Sequence, residues 1–307
     1  LAQCLSTLAN EKKITILVAT SGDTGSAVAS AFYQKHHLDV IVLFPQGKIS
    51  KRQQQQITCW GENIKTYAVK GYFDDCQRMV KSAFEDVALK KSLNLCTANS
   101  INIALLILKD CYYAFSSLQL VNKQKCKPNY IVPSGNLGNI TAAYWAKKMG
   151  FPINKIVMAT NANRVVPDYL ESGHYQARET IATLANAMDV GNPSNFLRLE
   201  NLLSDFEQFK REVSAFSVND NQIKSAIKDA FEKYHEIICP HTATAYWVRN
   251  QMDEAHWVLV ATADPSKFEN VIEPIIQQPV PLNPRLGDLL NRKCEFRVIE
   301  ANLDSIF

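Results

Sequence analysis

Three short segments place hydroxyls, amides and glycines where a ligand could be held. The first, ATSGDTGSA at 19–27, follows an apolar run and opens a helical pattern. Ser21 and Thr24 offer hydroxyls, and Gly22 and Gly25 allow a ligand close to the backbone. A helix N-terminus attracts carboxylate or phosphate because its first amides lack partners and carry partial positive charge. The same residues also suit a tight turn with Asp23 as N-cap, and the loop alone does not choose between these readings. The second segment, PSGNLGN at 133–139, occupies the same strand-to-helix position. Leu137 stands where a dinucleotide fingerprint needs its third glycine, and GKIS at 47–50 fails as a Walker A because the first glycine would fall on Val42. Two glycines with asparagines still make either a nest of N–H groups for one phosphate or a structural turn. The third, ATADPSKF at 261–268, ends a strand on Thr262, as a cofactor contact or simply a terminal polar residue.

Other reactive side chains form no such group. The histidines at 36, 37, 174, 235, 241 and 256 show no metal-ligand spacing. His36–His37 reads as a helix end, where a cation meets the dipole favourably, and His241 as a capping or packing group. Cysteines at 4, 59, 76, 96, 111, 126, 239 and 294 include no C-x-x-C pair. They read as free thiols of a reduced, cytoplasmic protein, with Cys4, Cys76, Cys111 and Cys239 acting as small hydrophobes. No G-x-S-x-G elbow supports a serine hydrolase. Trp60, Trp145 and Trp247 are expected in the core.

Loops of this kind need parallel strands behind them, because ligands in open α/β sheets bind at strand C-termini. The apolar runs at 14–20, 39–45, 64–69, 93–97, 129–132, 155–160 and 257–261 predict strands, the last of them the final clear one. Helices are predicted at 74–89, 99–120 and 139–148. Ser50 and Gln53 fit a capping box, Gly61 a helix stop, and the four glutamines at 53–56 a solvated helix face. The pattern restarts near residue 100, which predicts a smaller α/β domain at 1–98 and a larger one at 99–307. The proline-rich stretch at 274–284 reads as a wrapping tail of the larger one.

Composition narrows the class further. The chain has 307 residues, 47% of them hydrophobic, and a net charge of +3. This is a globular balance, with neither the polarity of a disordered chain nor the basic stripe of a nucleic-acid binder. The charge-free stretch from Ser92 to Leu108 is interrupted by Asn, Thr and Ser, so no membrane span is expected. The chain opens on Leu1 in what reads as the middle of an amphipathic helix, without signal-peptide features, and is expected to begin inside a larger fold.

In this order ATSGDTGSA, PQGKIS, TANSINI, PSGNLGN, ATNANRVVP, AMDVGNPSN, PHTATAY and TADPSKF resemble the threonine synthase family, from Leu1 to about Phe268. The resemblance implies an α/β, type II pyridoxal-phosphate fold: two parallel-sheet three-layer units with the cofactor cleft between them, N-terminally truncated here. It implies pyridoxal 5'-phosphate as cofactor and conversion of O-phospho-L-homoserine and water to L-threonine and phosphate. By the same resemblance Gly135, Asn136, Leu137, Gly138 and Asn139 cradle the cofactor phosphate. Asp23 lies near the cofactor hydroxyl and Thr262 beside the pyridine nitrogen. Ser21, Gly22 and Thr24 hold the substrate carboxylate, and Lys48, Ser50, Asn161 and Asn195 its phosphate.

The sequence departs from the family pattern in three places. Leu137 replaces a common Phe, and Asp264 stands where His is frequent. The family's Schiff-base lysine sits in a segment resembling HGPTLAFKDFG, which these 307 residues lack; Lys12, Lys13 and Lys48 have other contexts. This exact polypeptide is therefore expected to have little or no activity. The implied partner is the small-molecule substrate, without nucleic acid or membrane, and the oligomeric state stays open. Another type II pyridoxal-phosphate enzyme, a dehydratase or a cysteine synthase-like one, is the alternative. So is a non-catalytic relative that binds phosphate ligands, while a nicotinamide oxidoreductase lacks its glycines.

Overall fold

A computed structural model of the chain describes every residue except Asn10, Glu11, Ser21 and Ile101, and the side chain of Leu8. The chain divides into two compact units, residues 1–102 with 281–307, and residues 103–280. In the first unit the apolar runs become strands β1 (Ile14–Ala19), β2 (Leu38–Pro45), β3 (Ile64–Val69) and the two-residue β4 (Leu95–Cys96). The helices around them are α1 (Ala2–Leu8), α2 (Asp23–Phe32), α3 (Lys51–Thr58), α4 (Phe73–Glu85) and α5 (Val87–Ser92). The single helix expected at 74–89 breaks at Asp86, which leaves α4 and caps α5 by accepting the Leu89 N–H. The capping box of α3 forms as the sequence implies, with Ser50 and Gln53 satisfying each other's amides. α2 ends at Phe32, four residues before the histidine pair, and His37 takes a left-handed turn into β2.

The second unit opens with α6 (Ile103–Gln124), then β5 (Asn129–Pro133), α7 (Gly138–Lys148), β6 (Ile156–Thr160) and α8 (Val165–Ser172). It continues with α9 (Phe196–Leu202), α10 (Phe206–Glu212), β7 (Ser214–Ser217), α11 (Asp220–Tyr234), α12 (Pro240–Arg249), β8 (Trp257–Leu259) and α13 (Glu269–Ile276). Its parallel sheet has the order β7-β6-β5-β8. Because side chains alternate along a strand, Tyr130, Val132 and Met158 enter one core layer while Ile131, Val157 and Ala159 enter the other. Trp60, Trp145 and Trp247 are only half-buried, at the rims of these cores.

The tail departs from expectation. Residues 281–307 belong to the first unit, so the boundary falls after Asn102 and again before Pro281, not once at 98/99. Two elements carry the tail back, α14 (Pro284–Leu290) and β9 (Arg297–Ile299). β9 lies parallel to β3 and completes the order β4-β1-β2-β3-β9. Thr66 Oγ1 donates to the Glu295 carbonyl at 2.6 Å, and Gln55 Nε2 donates to the carbonyls of Leu289 and Arg292. The glutamines of α3 are thus not a solvated face: Gln53 and Gln56 are buried and Gln55 ties down the tail. A strand added to β3 satisfies the backbone groups that an edge would expose.

α6 is the other correction. It is 22 residues long and holds an 18-residue window of mean hydropathy 1.2, long and apolar enough to cross a membrane by length and composition. The charge-free stretch read from the sequence stops at Leu108, whereas an 18-residue window that admits Lys109 and Asp110 passes. Tyr113 on this helix enters the core beside α7, while Ile103, Ile107, Leu108, Tyr112 and Phe115 are exposed.

Candidate functional site

In each unit the chain order reverses at one strand, and the ligand-type loop follows that strand. In the first sheet the chain runs β1, β2, β3 in one direction and places β4 on the far side of β1. In the second it runs β5, β6, β7 and then places β8 on the far side of β5. Such switch points leave a crevice at the strand C-terminus, because the neighbouring crossovers leave on opposite faces. Residues 20–26 follow β1, and residues 134–139 follow β5.

The first loop is held from below by Thr20, whose buried hydroxyl oxygen accepts the N–H groups of Gly22 (3.0 Å) and Gly25 (2.8 Å). Gly22, rather than Asp23, is the N-cap of α2, with φ 143° and ψ −91°, a conformation that excludes a side chain. A Cβ on Gly22 would run into the Gln53 amide, and one on Gly25 into Thr20. Asp23 begins the helix half-buried, with Gln53 Nε2 at 3.5 Å from its Oδ1, and Thr24 is exposed. Asn99, just past β4, clamps the end of β1 by accepting the Ala19 N–H and donating to the Ala19 carbonyl. Ser21, the remaining carboxylate candidate, lies outside the described residues. Lys48 is exposed with its Nζ 4.8 Å from the centre of the Tyr72 ring. Ser50 is the cap of α3, its oxygen taken by Gln53 N–H.

The second loop has the stronger geometry. Leu137, with φ 59°, is the left-handed N-cap of α7 and its side chain is 2% exposed in the core. The Thr141 N–H and hydroxyl both go to the Leu137 carbonyl. The amides of Gly138, Asn139 and Ile140 have no protein acceptor among the described residues. This is a donor set fitted to one phosphate, which accepts several hydrogen bonds and is favoured by the dipole of an 11-residue helix. Gly135 cannot carry a side chain, since a Cβ would stand 2.6 Å from the Met188 Cα. Asn136 locks the loop: its Oδ1 accepts the Ser194 N–H at 2.6 Å and its carbonyl accepts from Asn195 Nδ2 at 2.8 Å. Asn139 Oδ1 accepts from the Tyr113 hydroxyl at 2.7 Å, which fixes the side chain at the start of α7.

Two substrate-phosphate candidates have their side chains engaged by other protein groups. Asn195 is fully buried between Asn136 and Arg198 Nη1, whose guanidinium is pushed down by burial. Asn161, also fully buried, donates to Thr183 Oγ1, the Ala185 carbonyl and Asp189 Oδ1, and accepts from Asn163. Burial pushes the Asp189 carboxyl up to about 7, although donors on Thr183, His241 nearby and Asn161 pull the other way. Both asparagines are polar loop residues in the sequence. Their occupation by partners across 22 to 59 positions has no local signal.

Thr262 lies exposed just past β8, the neighbour of β5 in the sheet. Below it sit Cys239 and His241 at the start of α12, buried and not singled out as a pair by the sequence. Asp264 caps the short helical turn after it by accepting from Ser266. A shallow cleft between α11 and α12, lined by Ser225, Asp229, Lys233 and Trp247, contains none of these residues.

Similarity to known proteins agrees with this arrangement. A family model of pyridoxal-phosphate-dependent enzymes matches residues 1–262, and one of the threonine synthase C-terminal region matches residues 240–306. The threonine synthase of Serratia marcescens is 43% identical over 289 residues, 94% of this chain and 67% of that protein. The crystal structure of threonine synthase from Escherichia coli superposes with a TM-score of 0.92 at 37% identity, covering 99% of this chain and 72% of that one. A pyridoxal-phosphate-bound threonine synthase from Brucella melitensis gives 0.86 at 32% identity, with coverage of 99% and 72%. With both loops at the switch points of a type II fold and these relatives across nearly its whole length, the chain belongs to the threonine synthase family of pyridoxal-phosphate-dependent enzymes.

Proposed function

We propose that this chain carries the ligand-holding loops of a threonine synthase, which converts O-phospho-L-homoserine and water to L-threonine and phosphate with pyridoxal 5'-phosphate. The observation that carries this reading is the open first turn of α7, three unclaimed amides behind a left-handed Leu137 at the tip of β5. Those amides with Gly135 and Asn136 hold the cofactor phosphate. Thr262 meets the pyridine nitrogen, and Asp23 lies at the ring hydroxyl. Gly22 and Thr24, with Ser21, orient the substrate carboxylate at the start of α2. Lys48 is the cation for the leaving phosphate, whose developing charge it stabilises. Bound pyridoxal phosphate supplies the electron sink that makes protons on the substrate carbons removable. The free state of all eight cysteines supports a reducing, cytoplasmic setting.

The test separates binding from turnover. The purified chain should bind pyridoxal 5'-phosphate, and O-phospho-L-homoserine in preference to serine, a discrimination that a dehydratase would reverse. Gly135→Ala should lower cofactor affinity at least about tenfold, since the loop must move off Met188 to accept a methyl. A folded Gly135→Ala protein with unchanged affinity would sink the phosphate-loop reading. No lysine at 1–307 is assigned the Schiff-base role. Borohydride reduction of the loaded chain followed by peptide mapping should leave Lys12, Lys13 and Lys48 unmodified, and a pyridoxyl group on any of them overturns that.

A further inference from the structure

Residues 173–195 join α8 to α9 with one short helical turn, Asn186–Met188, and no strand. A connection that long inside a compact unit is uncommon and usually serves a site. This one meets the loop at 134–139 twice. The Ser194 N–H and Asn195 Nδ2 bond to Asn136, and a Cβ on Gly135 would stand 2.6 Å from the Met188 Cα. Asp189, next in the chain, is half-buried and surrounded by donors. Its Oδ2 accepts the Thr183 N–H at 3.0 Å. Its Oδ1 accepts from Asn161 Nδ2 at 2.7 Å and from the Thr183 hydroxyl at 2.6 Å, with Asn163 Nδ2 at 3.4 Å. Backbone groups fix the sense of these bonds. Asn161 Oδ1 accepts the Asn163 N–H at 3.0 Å, and Asn163 Oδ1 accepts the Ile181 N–H at 2.8 Å. Each carboxamide therefore turns its NH2 group toward Asp189. The Thr183 hydroxyl accepts from Asn161 Nδ2 at 2.8 Å, which leaves its own proton for the carboxylate.

We propose that Asp189 is a positioning residue for the cofactor phosphate: gripped by donors at the tip of β6, it fixes the Met188 backbone against Gly135 and so sets where the loop at 134–139 delivers its amides. This rests on the reading that this loop holds the cofactor phosphate. The grip is anchored in the sheet. Asn161 and Asn163 lie just past β6, and the Ser217 hydroxyl of β7 donates to the Asn161 carbonyl at 2.9 Å. Donors from three residues converge on one side chain, and an anion satisfies them all at once. A loop that only covered the core would need no such charge. With no side chain on Gly135 to act as a spacer, any shift of the Met188 backbone passes directly to the phosphate loop.

The test uses the 307-residue chain with pyridoxamine 5'-phosphate, which binds without a lysine linkage. It is run at about pH 8, above the carboxyl's value of about 7, so that Asp189 is ionised. Affinity is read by titration, and the phosphorus NMR resonance of the bound ligand reports the surroundings of its phosphate. Asp189→Asn keeps the shape but turns one acceptor into a donor facing donors. It should weaken binding about tenfold and move the phosphorus resonance away from its wild-type position. Thr183→Val keeps the backbone donor and removes only the hydroxyl, and should weaken binding about threefold with a smaller shift. If Asp189→Asn does not fold, Thr183→Val decides in its place. A lowered Tm with the resonance unchanged reduces Asp189 to an anchor of its own loop and overturns the proposal, whatever the affinity. Gly135→Ala separates the two levels. If it binds and resonates as wild type, the phosphate-loop reading itself is wrong; if it changes both while the Asp189 and Thr183 variants change neither, only the role of Asp189 is wrong.

Discussion

The loop at 134–139 is held by side chains that bond within the protein. Asn136 and Asn195 spend their carboxamides on the loop itself, so Asn195→Ala should act at a distance. It removes a donor from the Asn136 carbonyl and the Asn195 Oδ1 bond to Arg198 Nη1, a loss of about 1–3 kcal/mol by denaturant unfolding. Cofactor affinity should fall with it, because the amides of α7 are only as well aimed as the loop that delivers them. In the first unit Thr20 plays the corresponding part. Thr20→Val keeps the shape but strands two buried amides, and should cost about 2 kcal/mol or more, read from the same denaturation curves. Both substitutions leave the candidate ligand contacts in place, so a variant that folds normally and binds normally argues against this support. Glycines and hydroxyls at strand tips were legible as ligand-type residues. The supporting partners were not, because they come from 20 to 60 positions away or, for Thr20, from a hydroxyl that reads as the last residue of a strand.

At the scale of elements, two segments carry consequences that their composition hides. Asp110 is 4% exposed on α6, and its Oδ1 has no hydrogen-bond partner. Burial pushes its carboxyl up to about 6. A raised native pKa means that the folded state holds the proton longer than the unfolded chain, whose value is about 3.9. Stability from this group is therefore complete below about pH 4 and is lost as pH rises to about 6. Asp110→Asn should abolish that slope and gain roughly 1–3 kcal/mol at neutral pH, seen by comparing unfolding at acidic and neutral pH. The other segment is the tail. Removing residues 281–307 uncovers β3 and frees Gln55, so the shortened chain should lose solubility or unfold several degrees earlier. Strand-type runs such as 39–45 and 64–69 are visible in the sequence because a strand buried on both faces must be apolar throughout. β9, with its pattern of two exposed residues and one buried one, gives no such signal and exists only because β3 is there to receive it.

For the molecule as a whole, α6 exposes an apolar surface: Ile103, Ile107, Leu108, Tyr112 and Phe115 are all exposed on a helix whose other side is packed. The chain should bind an apolar dye such as anilinonaphthalene sulfonate in its native state, and Ile107→Lys with Phe115→Glu should remove most of that fluorescence while leaving the thermal transition in place. Unchanged dye binding would place the apolar surface elsewhere. What the sequence by itself determined is the order of the loops, the alternation of strands and helices and the local caps. Each of these depends on residues within a few positions of one another, as with Ser50 and Gln53 or Leu137 and Thr141. Only the tertiary structure decided which asparagines are consumed, which glutamines are buried and to which unit the tail belongs. Those outcomes depend on partners brought together across 20 to more than 200 positions, and a polar side chain looks the same in sequence whether its partner is water or a buried carbonyl.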